Sequence, residues 1–179
     1  MKKLIGLTLL FALVITCCLA MPVKSETMGM AVHTVVAKAE NAYMTEAEKT
    51  DDGGYSLETT VCTVVLDDAG KMIHVRFDMT VSDLEITARG EAKTEAGTEV
   101  RSKMDLKEEY GMGPYAPAGE WYQQVQALEN FCIGKTVAEV LSVPTTDRGV
   151  MEAEDLKTSC TIGVNHLLKA LEMAAANAR

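Results

Sequence analysis

The sequence has only three histidines, and its five cysteines include no Cys-x-x-Cys spacing. Zinc and thiol-redox chemistry therefore lack their usual ligand sets. There is no Gly-x-Ser-x-Gly, no Walker loop and no dinucleotide fingerprint, which removes the most recognisable hydrolase and nucleotide-binding templates. Aromatic residues make up only 5% of the chain. Positive charge is scarce as well: 17 Lys and Arg stand against 26 Asp and Glu, for a net charge of −9. Such a surface repels nucleic acid and anionic lipid headgroups, so neither is an expected partner. The balance points away from an enzyme.

What is present reads as one domain behind a targeting segment. The chain has 179 residues and is 47% hydrophobic, enough for a single core. Lys2 and Lys3 form a positive start, and Leu4 to Ile15 is an apolar run too short to span a bilayer comfortably. Residues 1–20 are thus a signal peptide, residues 21–29 a tether and residues 30–179 the domain. Two processing routes are open. Val14-Ile15-Thr16-Cys17 and Ile15-Thr16-Cys17-Cys18 both resemble a lipobox, with Cys17 or Cys18 as the lipidated residue. Cleavage after Cys18-Leu19-Ala20 is the other route. The protein is expected outside the cytoplasm, at the cell surface or in the periplasm, touching membrane only through such a lipid anchor.

Strand signals come first along the domain. Met30 to Lys38 carries Val32, Val35 and Val36, and Tyr55 to Leu66 is rich in Val and Thr. Asp51-Asp52-Gly53-Gly54 reads as a turn, and Asp67-Asp68-Ala69-Gly70 closes a hairpin onto Lys71 to Val81. In that last strand Ile73, Val75, Phe77 and Met79 alternate toward the core. A second hairpin is expected from Leu84 to Ala88 and Thr98 to Met104. Helical spacing follows: Trp121, Val125, Leu128 and Cys132 mark Glu120 to Cys132, and Thr136 to Glu139 has capping-box spacing. Glu152 to Lys157 forms a turn. Val164, Leu167, Leu168, Leu171 and Ala175 mark a final helix to about Asn177. Strands followed by helices predict an α+β fold, an antiparallel sheet built from hairpins with helices packed on one face.

Few side chains suggest chemistry. His33, His74 and His166 fall on three different elements, and only His74 has an acidic neighbour, Asp78, on its own strand face. Asp67-Asp68 and Glu108-Glu109 read as solvated loop carboxylates. Cys62, Cys132 and Cys160 are odd in number, and buried free thiols are the expectation. The stretch Asp155 to Leu171, "DLKTSCTIGVNHLLKAL", is more specific. Thr158, Ser159 and Thr161 put hydroxyls ahead of a helix start, where a phosphate would meet unpaired N–H groups, and Gly163 would let it approach the backbone. Helix capping is the competing explanation. Tyr110, Met112, Tyr115, Trp121 and Tyr122 concentrate large side chains in a short loop, either as a wall for a flat ring or as cover for the core.

The order "GGYSLETTVCTVVLDDAGKMIHVRFD", a helix, then "DLKTSCTIGVNHLLKALEMA" resembles the small FMN-binding domains of exported bacterial proteins. These include the flavin-carrying subunits of the Rnf and sodium-translocating quinone reductase complexes. The resemblance covers roughly Gly54 to Ala176. It implies an FMN phosphate near Thr158, Ser159, Thr161 and Gly163, a ring against Tyr115 and Trp121, and electron exchange with a redox partner protein. Gly163 stands where flavinylated members carry a threonine. It has no hydroxyl to esterify, so the implied flavin is noncovalent. The alternative on the same scaffold is a cofactor-free surface binding or structural lipoprotein.

Overall fold

The computed structural model describes residues 25–40, 43–44 and 50–179. The segment expected to be a signal peptide and the candidate lipidation sites Cys17 and Cys18 lie outside the described residues. Three long strands, β1 (Thr27–Glu40), β4 (Gly53–Leu66) and β5 (Met72–Ile86), form an antiparallel sheet in the order β1-β4-β5. A small ribbon, β2 (Tyr43–Met44) with β3 (Thr50–Asp51), lies between β1 and β4 in the chain. The α+β class expected from the sequence is the fold observed.

Local chemistry explains the central hairpin. Asp67 Oδ1 accepts the N–H groups of Ala69 and Lys71, each at 2.9 Å, and Gly70 takes a φ of 73°. A side chain there would be strained. The strands then alternate as β geometry requires. Thr60, Cys62 and Val64 of β4 are buried on the same face as Val75, Phe77 and Met79 of β5. The predicted inward set needs one correction. A bulge falls where Val65 pairs with His74 and Leu66 with Met72, so Ile73 is the extra residue and is exposed, while Met72 is buried.

Three further expectations change. β1 begins at Thr27 rather than Met30. Gly53 and Gly54 are strand residues, not a turn: a Cβ on Gly54 would sit 2.6 Å from the Leu84 carbonyl oxygen, so glycine serves close backbone approach. Leu84 to Ile86 simply extends β5, and Thr98 to Lys103 is not a strand. Instead Thr94 Oγ1 accepts the Glu85 N–H and Lys93 donates to the Glu85 carbonyl, closing that edge with side-chain and loop contacts.

The helices are α1 (Lys103–Leu106), α2 (Trp121–Cys132), α3 (Val137–Leu141) and α4 (Asn165–Ala176). The Glu152–Lys157 turn appears as a short 3-10 segment, Glu154–Leu156. The capping box before α3 is complete: Thr136 Oγ1 accepts the Glu139 N–H, and Glu139 accepts the Thr136 N–H. α2 ends before Gly134, whose φ is 78°. α4 packs on β1 and β4, whereas α1 and α2 reach β5. The helices therefore spread from the sheet face around its β5 edge rather than forming one clean layer. Val125, Leu128, Leu167 and Leu171 meet Cys62, Val64, Val75 and Phe77 in one core. Each large apolar side chain so buried contributes about 1.5–3 kcal/mol. Among the described residues no helix is long and apolar enough to cross a membrane.

Candidate functional site

The hydroxyl-rich stretch is folded inward. Gln124 of α2 is fully buried, and its Oε1 accepts both the Thr161 N–H at 2.8 Å and the Thr161 hydroxyl at 3.2 Å. Its Nε2 donates to the Gly119 carbonyl at 2.8 Å. One amide thus ties the loop before α4 to the loop before α2. Ser159 donates its hydroxyl to the Asp155 carbonyl at 3.3 Å. Gly163 faces protein: a Cβ there would lie 2.7 Å from the Arg148 carbonyl oxygen, and the next residue, Val164, donates to the Gly149 carbonyl at 2.9 Å. The close approach that a glycine permits is used by the chain's own backbone. Thr158 is exposed. Replacing Gln124 with leucine should leave these partners unpaired and cost about 2 kcal/mol, read as a lowered urea midpoint.

The proposed ring wall is divided. Trp121 is buried, with the Lys103 ammonium 5.5 Å from its ring centre and 5.0 Å from that of Tyr110. Such cation–π contacts hold the α1 side chain against the loop. Tyr115 is 89% exposed. Glu120 organises the loop between them, since its carboxylate accepts the N–H groups of Met112 and Gly113 at 2.9 and 2.6 Å. Tyr122 donates to Glu108 at 2.8 Å, and that bond holds its phenol above the ordinary tyrosine range.

A cavity of about 520 Å³ opens beside this loop, lined by Val61, Thr63, Arg76, Phe77, Asp78, Met104, Lys107, Tyr122 and Gln126. Its size suits a small molecule. Neither Thr158, Ser159, Thr161 and Gly163 nor Tyr115 and Trp121 line it. Two cations, Arg76 and Lys107, face one carboxylate, Asp78. That carboxylate is occupied at the rim, accepting the N–H groups of Met79 and Met104 at 2.7 and 3.2 Å. It thus holds the start of α1 against β5 instead of pairing with His74, the partner suggested by the sequence. Arg76 reaches Glu129 at 2.7 Å, and the other oxygen of the buried Glu129 accepts the Phe77 N–H at 2.9 Å.

Lys107 is the unusual member. It follows α1 with φ 48° and ψ −115°, the one non-glycine residue at positive φ among those described. A lysine held there stores roughly 1–3 kcal/mol of backbone strain, and such residues cluster at binding sites. The sequence offered no warning, because nothing about Leu106-Lys107-Glu108 marks a left-handed backbone.

Elsewhere, Cys62, Cys132 and Cys160 are free and buried. Desolvation pushes the thiols of Cys62 and Cys132 up to about 12 and that of Cys160 to about 11. They are packing groups rather than nucleophiles. His33 of β1 and His166 of α4 come together, with ring centres 6.0 Å apart, and Glu58 of β4 lies 3.6 Å from His166 Nε2. Nothing local in the sequence brings the two histidines together, since they lie 133 positions apart. No family model, no curated protein and no solved structure matches the chain.

Proposed function

We propose that this is an exported binding domain whose ligand is a small, partly apolar molecule bearing a negative group, held in the cavity between β5 and α2. One observation carries the reading: a strained lysine and an arginine share a cavity of ligand size with the apolar surfaces of Val61, Phe77, Met104 and Tyr122. Thr63 and Gln126 supply neutral polar contacts. The cations orient the anionic group, and the apolar wall provides most of the affinity. The reading keeps the domain free of any required cofactor. FMN is the first probe, because it has a flat ring, a phosphate and a claim from the family resemblance.

Fluorescence titration of FMN with the purified mature protein tests the proposal. Saturable quenching is expected, weakened about tenfold or more by Lys107→Gly and unchanged in a Ser159→Ala, Thr161→Val double variant. Lys107→Gly should also raise stability by about 1 kcal/mol, because glycine adopts the strained conformation freely. Loss of affinity with gain of stability is the signature of a residue strained for binding. Quenching abolished only by the Ser159 and Thr161 changes would move the site to the start of α4 and overturn the cavity assignment. If neither FMN nor a panel of aromatic carboxylates and phosphates binds, the domain is a structural module.

A further inference from the structure

A second place in the fold gathers ligating groups, away from the cavity. His33 lies on β1, opposite Thr60 of β4 in the strand register, and Glu58 lies opposite Val35. His33 and Glu58 are therefore diagonal neighbours on the sheet face that meets α4. His166, in the first turn of α4, completes the group from above, with its Nε2 3.6 Å from Glu58 Oε2 and its ring centre 6.0 Å from that of His33. Three elements thus deliver two imidazoles and a carboxylate to one spot. Glu58 is 27% exposed and His166 43%, so an ion from solvent reaches them without unfolding.

An independent observation lies beside them. The Thr60 hydroxyl is buried and has no hydrogen-bond partner, alone in this respect among the described side chains. An orphaned buried hydroxyl costs stability and calls for a water or an ion nearby. Its register partner is His33.

We infer that His33, His166 and Glu58 bind a divalent transition metal of the zinc type. Two histidines and a carboxylate, with a remaining position for water, are a recurrent zinc set. Among the described residues no group of three or more His, Cys, Asp or Glu side chains is placed to hold a metal ion as it stands, so the trio has to close up to do so. Side-chain rotation closes the difference. Two imidazoles sharing a zinc at about 2.0–2.1 Å from each nitrogen have ring centres about 5 Å apart. The observed 6.0 Å is about 1 Å longer, and rotation of the two imidazoles has to close that difference. A water bound to the metal would also give the Thr60 hydroxyl a partner. The acidity of the chain favours a cation.

The test uses the purified mature protein, stripped with chelator, and added Zn²⁺ or Co²⁺. One equivalent of Zn²⁺ is expected, with a raised Tm, and Co²⁺ should give a visible absorption of low-coordinate nitrogen and oxygen ligation. His33→Ala and His166→Ala should each weaken Zn²⁺ binding at least a hundredfold, and Glu58→Gln about tenfold. His74→Ala, on an exposed strand position, should leave it unchanged. Circular dichroism of the variants without metal separates lost ligation from lost fold. The inference is overturned if Zn²⁺ does not bind, if His33→Ala and His166→Ala bind it as well as the parent, or if the Co²⁺ spectrum shows sulfur ligation. None of these outcomes bears on the FMN titration, so the two readings stand or fall separately.

Discussion

Gly29→Ala is expected to destabilise the domain by about 3 kcal/mol or more, and to unfold a large fraction of it at physiological temperature. The added methyl carbon would sit 1.9 Å from the Ala174 carbonyl oxygen of α4, with the Ala178 nitrogen at 3.0 Å. Neither is a flexible side chain that could swing aside. The helix would have to lift from β1, opening the contact that buries Leu167, Leu171 and Ala174. Overpacking of this kind costs 1–3 kcal/mol where side chains can adjust, and more against rigid backbone. Thermal unfolding of the variant beside Gly90→Ala checks the claim. Gly90, unlike Gly29, has positive φ, at 82°, and meets nothing within 4 Å, so Gly90→Ala reports a backbone conformational cost with no clash. If the two variants lose equal stability, the close packing of α4 on β1 is wrong.

Alkali should unfold the protein by way of its three buried thiols. An unfolded cysteine loses its proton near pH 8.5. In the native state burial holds Cys62 and Cys132 to about 12 and Cys160 to about 11. Their folded values are raised, so any stability tied to the neutral thiols is complete below about pH 8.5. It is lost as pH rises toward 11 to 12, because over that window the unfolded chain binds fewer protons. Each thiol then removes about 1.4 kcal/mol per pH unit. Over these windows the three together remove on the order of 10 kcal/mol, comparable to the 5–15 kcal/mol of a typical domain. Urea midpoints from pH 7 to 10.5 should fall with a slope that a Cys132→Ala variant reduces by about one third. A flat profile would mean that water reaches these sulfurs. At pH 8 none of the three should react with iodoacetamide until denaturant is added, as peptide mapping would show.

Periodicity was enough for most of the scaffold. The β4–β5 hairpin, α2, the capped start of α3 and α4 follow from alternation, helical spacing and turn chemistry, which act over a few residues. The bulge at Ile73 was not legible, because a bulge answers to the pairing of two strands rather than to one. The misplaced second hairpin has a similar cause. Thr98 to Met104 carries strand-like residues, but the β5 edge there is taken up by Lys93 and Thr94. In the Asp155–Leu171 stretch the sequence shows residue types but not their partners. Hydroxyls and a glycine ahead of a helix suit a phosphate, yet Gln124, 37 positions earlier, bonds Thr161, and Arg148 takes the space at Gly163. The strain at Lys107 and the meeting of His33 with His166 depend on tertiary placement and left no local trace.

The order of the strands sets which way the domain faces. Ser25, where the described chain begins, is held at the β1 end of the sheet, its N–H donating to Asp68 at 2.8 Å. Arg179 joins the same corner, exchanging main-chain hydrogen bonds of 3.3 Å with Met28 in both directions. The cavity opens on the other flank, where β5 meets α1 and α2. Ser25 and Arg179 therefore share the β1 side of the domain, while the cavity is lined from β4, β5, α1 and α2.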